Sequence, residues 1–443
     1  MATRTAPPRT PRRRPPQAPL SPRRIRWLLI AAIALLVVCL GRAVQMQIAQ
    51  NGFYEQRASG QHHDEVVVPA RRGAILDRDG YRLAMTEAST TIGATPSLID
   101  DPARVVAAVA EAGLELGYDR VLGGRDGLEV RTADPGGNEI RVTETRSMIP
   151  GRTISTGISR QVQTEAERVV SDTRAKYRAK AVTAIVLEPA TGEVVAMASA
   201  PSPPGGDYRA GSANQLRLRG ITDQYEPGST FKAVTMAAGL ATGRITPTTK
   251  VEVGESWRLY DRVLHDAHSD PGVKTATAAL RVSSNIGVAK LAYQHLSTPG
   301  HPGSVLSQWI DRFGFGVPTG IDLPGEVPGT VLPYRKWSGT SPLNIPIGHG
   351  VAATPIQMAQ LYATIANDGV EVQPHVVTRI DGEGPVEVQR TRLMPARAAR
   401  TLAKMLEGVV SDQGTGSAAA IPGYSVAGKT GTTKKIDADG TYS

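Results

Sequence analysis

Residues 225–232 read YEPGSTFK, and what this stretch does decides what the chain is built for. Pro227 and Gly228 stop whatever precedes them, and Ser229 is a good helix N-cap or first-turn residue. If residues 230–243 are helical, Ser229 and Lys232 lie one turn apart on one face, and the amine reaches the hydroxyl. A serine hydroxyl is a weak nucleophile at neutral pH and needs an adjacent base; a lysine serves when its amine is neutral. An exposed lysine, with a pKa of about 10.4, is the wrong species. Burial or a second cation must lower it. Taken alone, the pair reads first as the start of an ordinary helix.

Two further short motifs change that weight. VSSNIG (282–287) places Ser283 and Asn285 one residue apart, able to relay a proton and to bind a substrate amide. Alone it is a helix cap before an apolar helix. GKTGTT (428–433) reads as part of a strand over 423–435. Side chains alternate along a strand, so Lys429 and Gly431 face one way and Thr430 and Thr432 the other. Gly431 admits a close backbone or substrate, Lys429 supplies a second cation, and the threonine hydroxyls suit a carboxylate. Alone it is a strand-end turn.

Around these motifs the chain divides by composition. Residues 1–26 hold eight arginines, seven prolines and no acid, a composition expected to be disordered. They carry most of the net charge of +9, so the remaining body is near neutral and a nucleic-acid surface is not expected. WLLIAAIALLVVCLG (27–41) is a run of fifteen uncharged residues that resumes past Arg42, and residues 27–44 are expected to be an uncleaved signal anchor. The positive-inside rule keeps the arginine tail in the cytoplasm and places about 400 residues outside. Cys39, the sole cysteine, lies inside that segment, which excludes disulfides, thiol nucleophiles and cysteine metal sites from the outer part.

Residues 45–65 read as a polar helical stalk, and 66–84 as strand, turn, strand with a second turn at Asp79-Gly80. Residues 101–118 read as helical, and Gly-rich patches at 123–127 and 135–137 leave short strands. Together, residues 45–150 form a stalk and small mixed pedestal module. Residues 157–180 form a polar helix, with 151–180 a linker; 181–201 form a hairpin around Pro189–Gly192; 201–207 form a loop. Helices follow over 230–243, 275–295 and 355–368. A strand pair, a helical middle and a return to strand give an α+β layer fold. His265 and His268 are a polar loop before they are a metal pair, since no third ligand is in view. His62-His63 reads as solvated, His349 is given no role, and Gly123-Gly124 is a turn.

Taken in order, the three motifs resemble those of the penicillin-recognising serine transpeptidases, and in particular the class B penicillin-binding proteins. YEPGSTFK (225–232) is similar to the family's nucleophile segment, SSN (283–285) to its second motif and KTGT (429–432) to its third. RRGAILDRDGYRLA (71–84) resembles the signature past the membrane anchor, and LEPATGEVVAMASAP (187–201) the first transpeptidase strands. GHGVAATPIQMAQLYATIANDG (348–369) resembles the helical stretch before the third motif.

The resemblance implies a β-lactamase/transpeptidase-like antiparallel sheet flanked by helices, in a domain over 181–443. It also implies peptidoglycan cross-linking as the activity. Ser229 would attack the carbonyl between two D-alanines of a stem peptide, and β-lactams would acylate it as mimics. Lys232 would be the base, Ser283 the proton relay and Asn285 a substrate amide partner. Lys429 would tune the field, Thr430, Gly431 and Thr432 would meet the substrate near its carboxylate, and the N–H groups of Ser229 and Thr432 would form the oxyanion hole. No metal or organic cofactor is implied. Partners would be stem peptides ending in D-Ala-D-Ala, β-lactams and other membrane cell-wall synthesis proteins, including a glycosyltransferase. The chain stops twelve residues past Gly431, where the family continues with further strands and a closing helix, so a fragment of a longer reading frame is expected. A β-lactamase, a D,D-carboxypeptidase, a β-lactam sensor and an inactive or truncated scaffold of the division or elongation machinery are the rival readings.

Overall fold

A computed structural model describes residues 22–49, 63–84, 113–133, 139–202 and 212–432. The arginine-rich tail before Pro22, residues 101–112 of the helix expected over 101–118, most of the 201–207 loop and the end of the 423–435 strand lie outside the described residues. The chain divides into two compact units, Met1–Pro69 with Asp126–Met148, and Ala70–Arg125 with Ile149–Ser443.

In the first unit, helix α1 (Pro22–Val44) continues as a π-helical turn over Gln45–Ala49. Pro22–Ile48 is long and apolar enough to cross a membrane, and its described side chains are exposed. The apolar helix therefore begins ahead of the expected 27–44 segment. A three-stranded antiparallel sheet follows, in the order His63–Val68, Gly127–Ala133, Glu139–Arg146. Of the expected 45–65 stalk helix, residues 50–62 lie outside the described residues, and 63–65 belong to a strand. The β-branched Val66–Val68 run draws Asp64 and Glu65 into register with Arg131 and Val130, so the strand starts at His63.

The second unit takes up what was expected of the pedestal between 70 and 125. Ile75-Leu76 pairs parallel with Ile154-Ser155 inside a five-stranded sheet, above fully buried Leu122 and Ile154. Gly73 sits where a side chain would lie 2.0 Å from the carbonyl oxygen of Arg152, so the Arg-Arg-Gly stretch needs its glycine for this approach. Asp77, nearly fully buried, accepts the N–H groups of Asp79 and Tyr81 at 3.0 and 2.8 Å and shapes the turn between the short strands.

Helix α2 (Arg160–Tyr177) is a layer of this domain rather than a linker. It packs on an antiparallel hairpin of Val182–Leu187 and Val194–Ala200, whose turn runs through Gly192 at φ 83°. Strand alternation sorts the two faces. Val182, Ala184, Ala198 and Ala200 meet Val170 of α2, while Ile185, Leu187 and Met197 meet Ile221 and Ile356 beyond. Gln163 fixes the contact by exchanging hydrogen bonds with both backbone groups of Met197. The result is the expected α+β fold with helices on both faces of an antiparallel pair.

Behind the hairpin lies a helical core. Gly228–Phe231 is a 3₁₀ turn leading into α3 (Lys232–Ala241), every residue of which is buried from Lys232 to Gly239. A helix apolar all round belongs at the centre of a core. The single helix expected over 275–295 is broken into α4 (Ala276–Arg281) and α5 (Asn285–His295). Ser283 takes φ +57° and Ser284 caps α5, accepting the Gly287 N–H at 2.8 Å. Helix α6 (Pro355–Ala366) opens with a Thr354/Gln357 capping box, and α7 (Ala396–Glu407) packs on α3 and α6. Gly423–Thr432 is not a strand. Gly428 donates to Leu406 at the end of α7, and among the described residues no ladder forms along the segment or adds a third strand to the 182–200 hairpin.

Phe231 is fully buried and meets Phe315 edge to face at 5.1 Å. Phe231→Ala is expected to lower unfolding free energy by about 3–5 kcal/mol in urea titrations, through the cavity it leaves.

Candidate active site

The turn that carries Ser229 is clamped from two sides. Gly228, at φ +53°, donates to the Gly348 carbonyl at 3.1 Å, and a side chain on Gly348 would lie 2.2 Å from the Gly228 oxygen. From α6, the Tyr362 hydroxyl donates to the Thr230 carbonyl at 2.9 Å. Because the turn is 3₁₀, residues three apart eclipse, which sets Ser229 and Lys232 in one column. Ser229 is half-buried on the wall of a cleft of about 1070 Å³.

Below it the Lys232 amine has no solvent exposure and contacts three oxygens. It donates to the Ser283 carbonyl at 2.6 Å and to Asn285 Oδ1 at 2.7 Å, with Ser283 Oγ at 3.2 Å. The Asn285 amide is oriented from behind, since its Nδ2 donates to the His265 carbonyl at 3.0 Å. One N–H of that amide and one lone pair of its oxygen are engaged within the protein, and Asn285 still lines the cleft. A neutral amine has two N–H groups and one lone pair. The two carbonyl oxygens take the N–H groups, and the lone pair is left for a hydroxyl. Burial drives the Lys232 pKa well below the ordinary lysine value, Lys429 lowers it further, and Asp266 opposes both.

Asp266 is the residue sequence reasoning missed. Its Oδ2 accepts the Ser284 hydroxyl at 2.7 Å and its Oδ1 the Ile286 N–H at 2.9 Å, capping α5 and locking the break that carries Ser283 and Asn285. Its only signal in the sequence was a place between His265 and His268. Among the described residues no group of side chains suits a metal. His268 and His349 both line the cleft. Burial lowers the pKa of His349, with Glu226 raising it and Lys232 and Arg262 lowering it.

The third motif reaches the same cleft without forming a strand. Thr430, Gly431 and Thr432 line it. A side chain on Gly431 would lie 2.9 Å from Thr230 Cγ2 and 3.2 Å from the Pro227 oxygen, so the motif closes against the turn that carries Ser229. Half-buried Lys429 donates to the Thr430 carbonyl at 3.0 Å, and burial lowers its pKa to about 8. Thr430 Oγ1 lies 2.8 Å from Thr415 Oγ1.

A serine one turn from a buried lysine, a second serine and an asparagine on the same cleft, and a second lysine that acts on the first electrostatically form the arrangement of active-site serine enzymes of the Ser-x-x-Lys type. Residues 182–443 match the penicillin binding protein transpeptidase domain. Peptidoglycan D,D-transpeptidase FtsI of Escherichia coli K12 is 32% identical over 330 residues, 74% of this chain and 54% of the relative. Penicillin-binding protein 3 of Mycobacterium tuberculosis, in its apo form, superposes with a TM-score of 0.71 at 31% identity, covering 85% of this chain and 84% of that one. A solved peptidoglycan synthase complex that coordinates polymerization and crosslinking contains a chain with a TM-score of 0.65 at 25% identity, covering 90% and 86%. The chain belongs to the class B penicillin-binding transpeptidases. It spans about half the length of the curated relatives it matches.

The electrostatics of Lys232 give a two-signed expectation. Asp266→Asn removes a stabiliser of the ammonium, so Lys232 should titrate at lower pH. Lys429→Ala removes a repelling cation, so it should titrate at higher pH. NMR of isotope-labelled lysine side chains reads both shifts; shifts of one sign would contradict the assignment of these two neighbours.

Proposed function

We propose that the chain is a membrane-anchored serine D,D-transpeptidase that cross-links peptidoglycan stem peptides and is acylated by β-lactams. The observation that carries this is the Lys232 amine, fully buried, with Ser283 O and Asn285 Oδ1 accepting its N–H groups. Burial and the nearby Lys429 favour the neutral amine, the state a serine nucleophile requires.

In this reading the Ser229 hydroxyl adds to the carbonyl carbon of the penultimate D-alanine, and its proton passes to the Lys232 lone pair. The N–H groups of Ser229 and Thr432 would receive the oxyanion, a contribution of about 3 kcal/mol per donor. Collapse breaks the C–N bond. The proton returns from Lys232 through Ser283 Oγ, 3.2 Å away, to the departing D-alanine amine. The amine of a neighbouring stem then attacks the ester and restores Ser229. Lys429, with Thr430 and Thr432, would hold the terminal carboxylate, and Gly431 keeps that wall close to Ser229.

The apolar helix Pro22–Ile48 would anchor the chain, with the arginine tail inside and the catalytic domain outside the cytoplasmic membrane. Membrane partners, a glycosyltransferase among them, are supported by the similarity to the synthase complex. A penicillin-binding scaffold without turnover is the second reading, favoured by the lack of strand pairing along Gly423–Thr432 among the described residues.

Fluorescent penicillin should label the full-length membrane protein, and Ser229→Ala should abolish the label. Lys232→Met should slow acylation by about 10²–10⁴-fold, the range for losing a general base. A folded protein whose label survives Ser229→Ala would sink the enzyme assignment, and a label lost within seconds would favour a β-lactamase.

Lys429 adds a pH signature. It is charged below about pH 8 and neutral above it, so the KM for a peptide with a free terminal carboxylate should rise as pH passes about 8. Lys429→Arg, charged throughout, should leave that KM flat.

A further inference from the structure

A second cavity, of about 320 Å³, is lined by Tyr260, Tyr293, Tyr334 and Trp337 together with Arg335 and Ser338. Four aromatic rings in so small a space form no part of the chemistry above. The polar ends of two of them are occupied within the protein. The Tyr334 hydroxyl donates to the Pro302 carbonyl at 3.2 Å, and the Trp337 indole N–H donates to the Leu332 carbonyl at 2.9 Å. What these two present is ring surface, set as a corner with centroids 5.2 Å apart and planes tilted by 59°. Tyr293 is braced from behind by an edge-to-face contact with Trp257 at 5.7 Å.

Tyr260 stands at the tip of a hairpin formed by Trp257–Leu259 and Arg262–Leu264. Its backbone is left-handed, φ +56°, in which a bulky residue is strained, yet 69% of the residue is exposed. Its ring lies over Gly339, where an added side chain would come within 2.8 Å of it. Glycine or asparagine would relieve the turn, and little apolar burial offsets the strain. Arg335, exposed, makes no hydrogen bond or ion pair among the described residues, so its forked donors are free. Aromatic faces with a free guanidinium and a serine hydroxyl suit one class of ligand well. A pyranose ring offers C–H surface to the rings, and hydroxyl and acetamido oxygens to the donors.

Two elements contribute to both the cavity and the cleft. Tyr260 lines the cavity, and Arg262 of the same hairpin lines the cleft. Pro342 of the short helix Ser341–Asn344 lines the cavity, and Asn344 lines the cleft. A ligand seated at Ser229 that leaves the cleft along these elements meets the aromatic corner. A stem peptide is joined to a sugar at the end opposite its D-alanines. We propose that this cavity is a saccharide subsite, taking an N-acetylhexosamine of the glycan strand whose stem peptide lies in the cleft. The choice of glycan rests on the transpeptidase reading; the sugar-binding chemistry rests on the cavity alone.

The probe is chitotetraose, an uncharged N-acetylglucosamine oligomer, mixed with the full-length protein in a sugar-free detergent and read by saturation-transfer NMR. Wild type should saturate the acetamido protons, Tyr260→Phe should bind like wild type, and Tyr260→Gly should weaken binding about tenfold. Glycine accepts the left-handed turn, so the Tyr260→Gly melting temperature should stay within a few degrees of wild type. No saturation by wild type, or equal binding by Tyr260→Gly, overturns the proposal. So does Tyr260-dependent saturation of a sugar-free stem pentapeptide with none of chitotetraose. Fluorescent penicillin on the same wild-type sample tests the transpeptidase reading separately. Labelled protein that ignores chitotetraose loses the subsite alone, and unlabelled protein that binds it through Tyr260 loses the transpeptidase reading alone.

Discussion

The amine of Lys232 sits without solvent among three oxygens at 2.6, 2.7 and 3.2 Å, and much of the domain is arranged to keep it there. An ammonium ion buried without a counter-charge costs several kcal/mol, whereas a neutral amine with its donors satisfied costs far less. The fold therefore selects the protonation state. Burial requires a helix surrounded on all sides, which is α3. Satisfying the two N–H groups requires acceptors brought in from elsewhere in the chain, and the break between α4 and α5 supplies them. The nearest carboxylate, Asp266, is turned toward Ser284 and the start of α5. It raises the lysine pKa less than burial and Lys429 lower it.

That arrangement has a local cost, and the surrounding contacts hold it in place. Ser283 occupies the left-handed region, a strain of about 1–3 kcal/mol for a residue other than glycine. The conformation lets one residue offer both its carbonyl and its hydroxyl to the same amine. Two hydrogen bonds to Asp266 fix the following residues, and Asn285 is tied to the His265 carbonyl. On the opposite side, Gly228 and Gly348 approach each other too closely for any side chain on Gly348. Catalytic geometry here follows from close backbone approaches as much as from the side chains that do the chemistry.

The parts of this plan that were legible in the sequence were local ones. The 182–200 hairpin announced itself through two β-rich runs around Pro189–Gly192, and the apolar helix through an uncharged run that resumes past Arg42. The Ser-x-x-Lys pair announced itself through the Pro-Gly stop before it. Asp266 was illegible because its role depends on Ser284 and Ile286, brought to it by folding. The strand read into Gly423–Thr432 had suitable alternation, but alternation specifies a strand only where a neighbour completes the ladder. Gly73 in Arg-Arg-Gly resembled a turn residue, while its requirement comes from Arg152, far along the chain. Likewise α2 looked like a linker because its polar face dominates the sequence, and Val170 alone is fully committed to the core.

Asn285 separates two kinds of residue at the cleft. With its oxygen on Lys232 and one amide N–H on the His265 carbonyl, it is held by the network around the amine, and it also lines the cleft. The other walls include the segment carrying Thr430–Thr432 and the hairpin that holds Arg262 at the cleft and Tyr260 at the aromatic cavity. Side chains around the Lys232 amine are tied to one another by hydrogen bonds, so a substitution among them disturbs several partners at once. Side chains on the hairpin are exposed and independently placed, and can vary with little effect on the amine. The amine and the hairpin thus sit in physically different environments, one a hydrogen-bond network around a buried nitrogen and the other a solvated rim of rings and guanidinium groups.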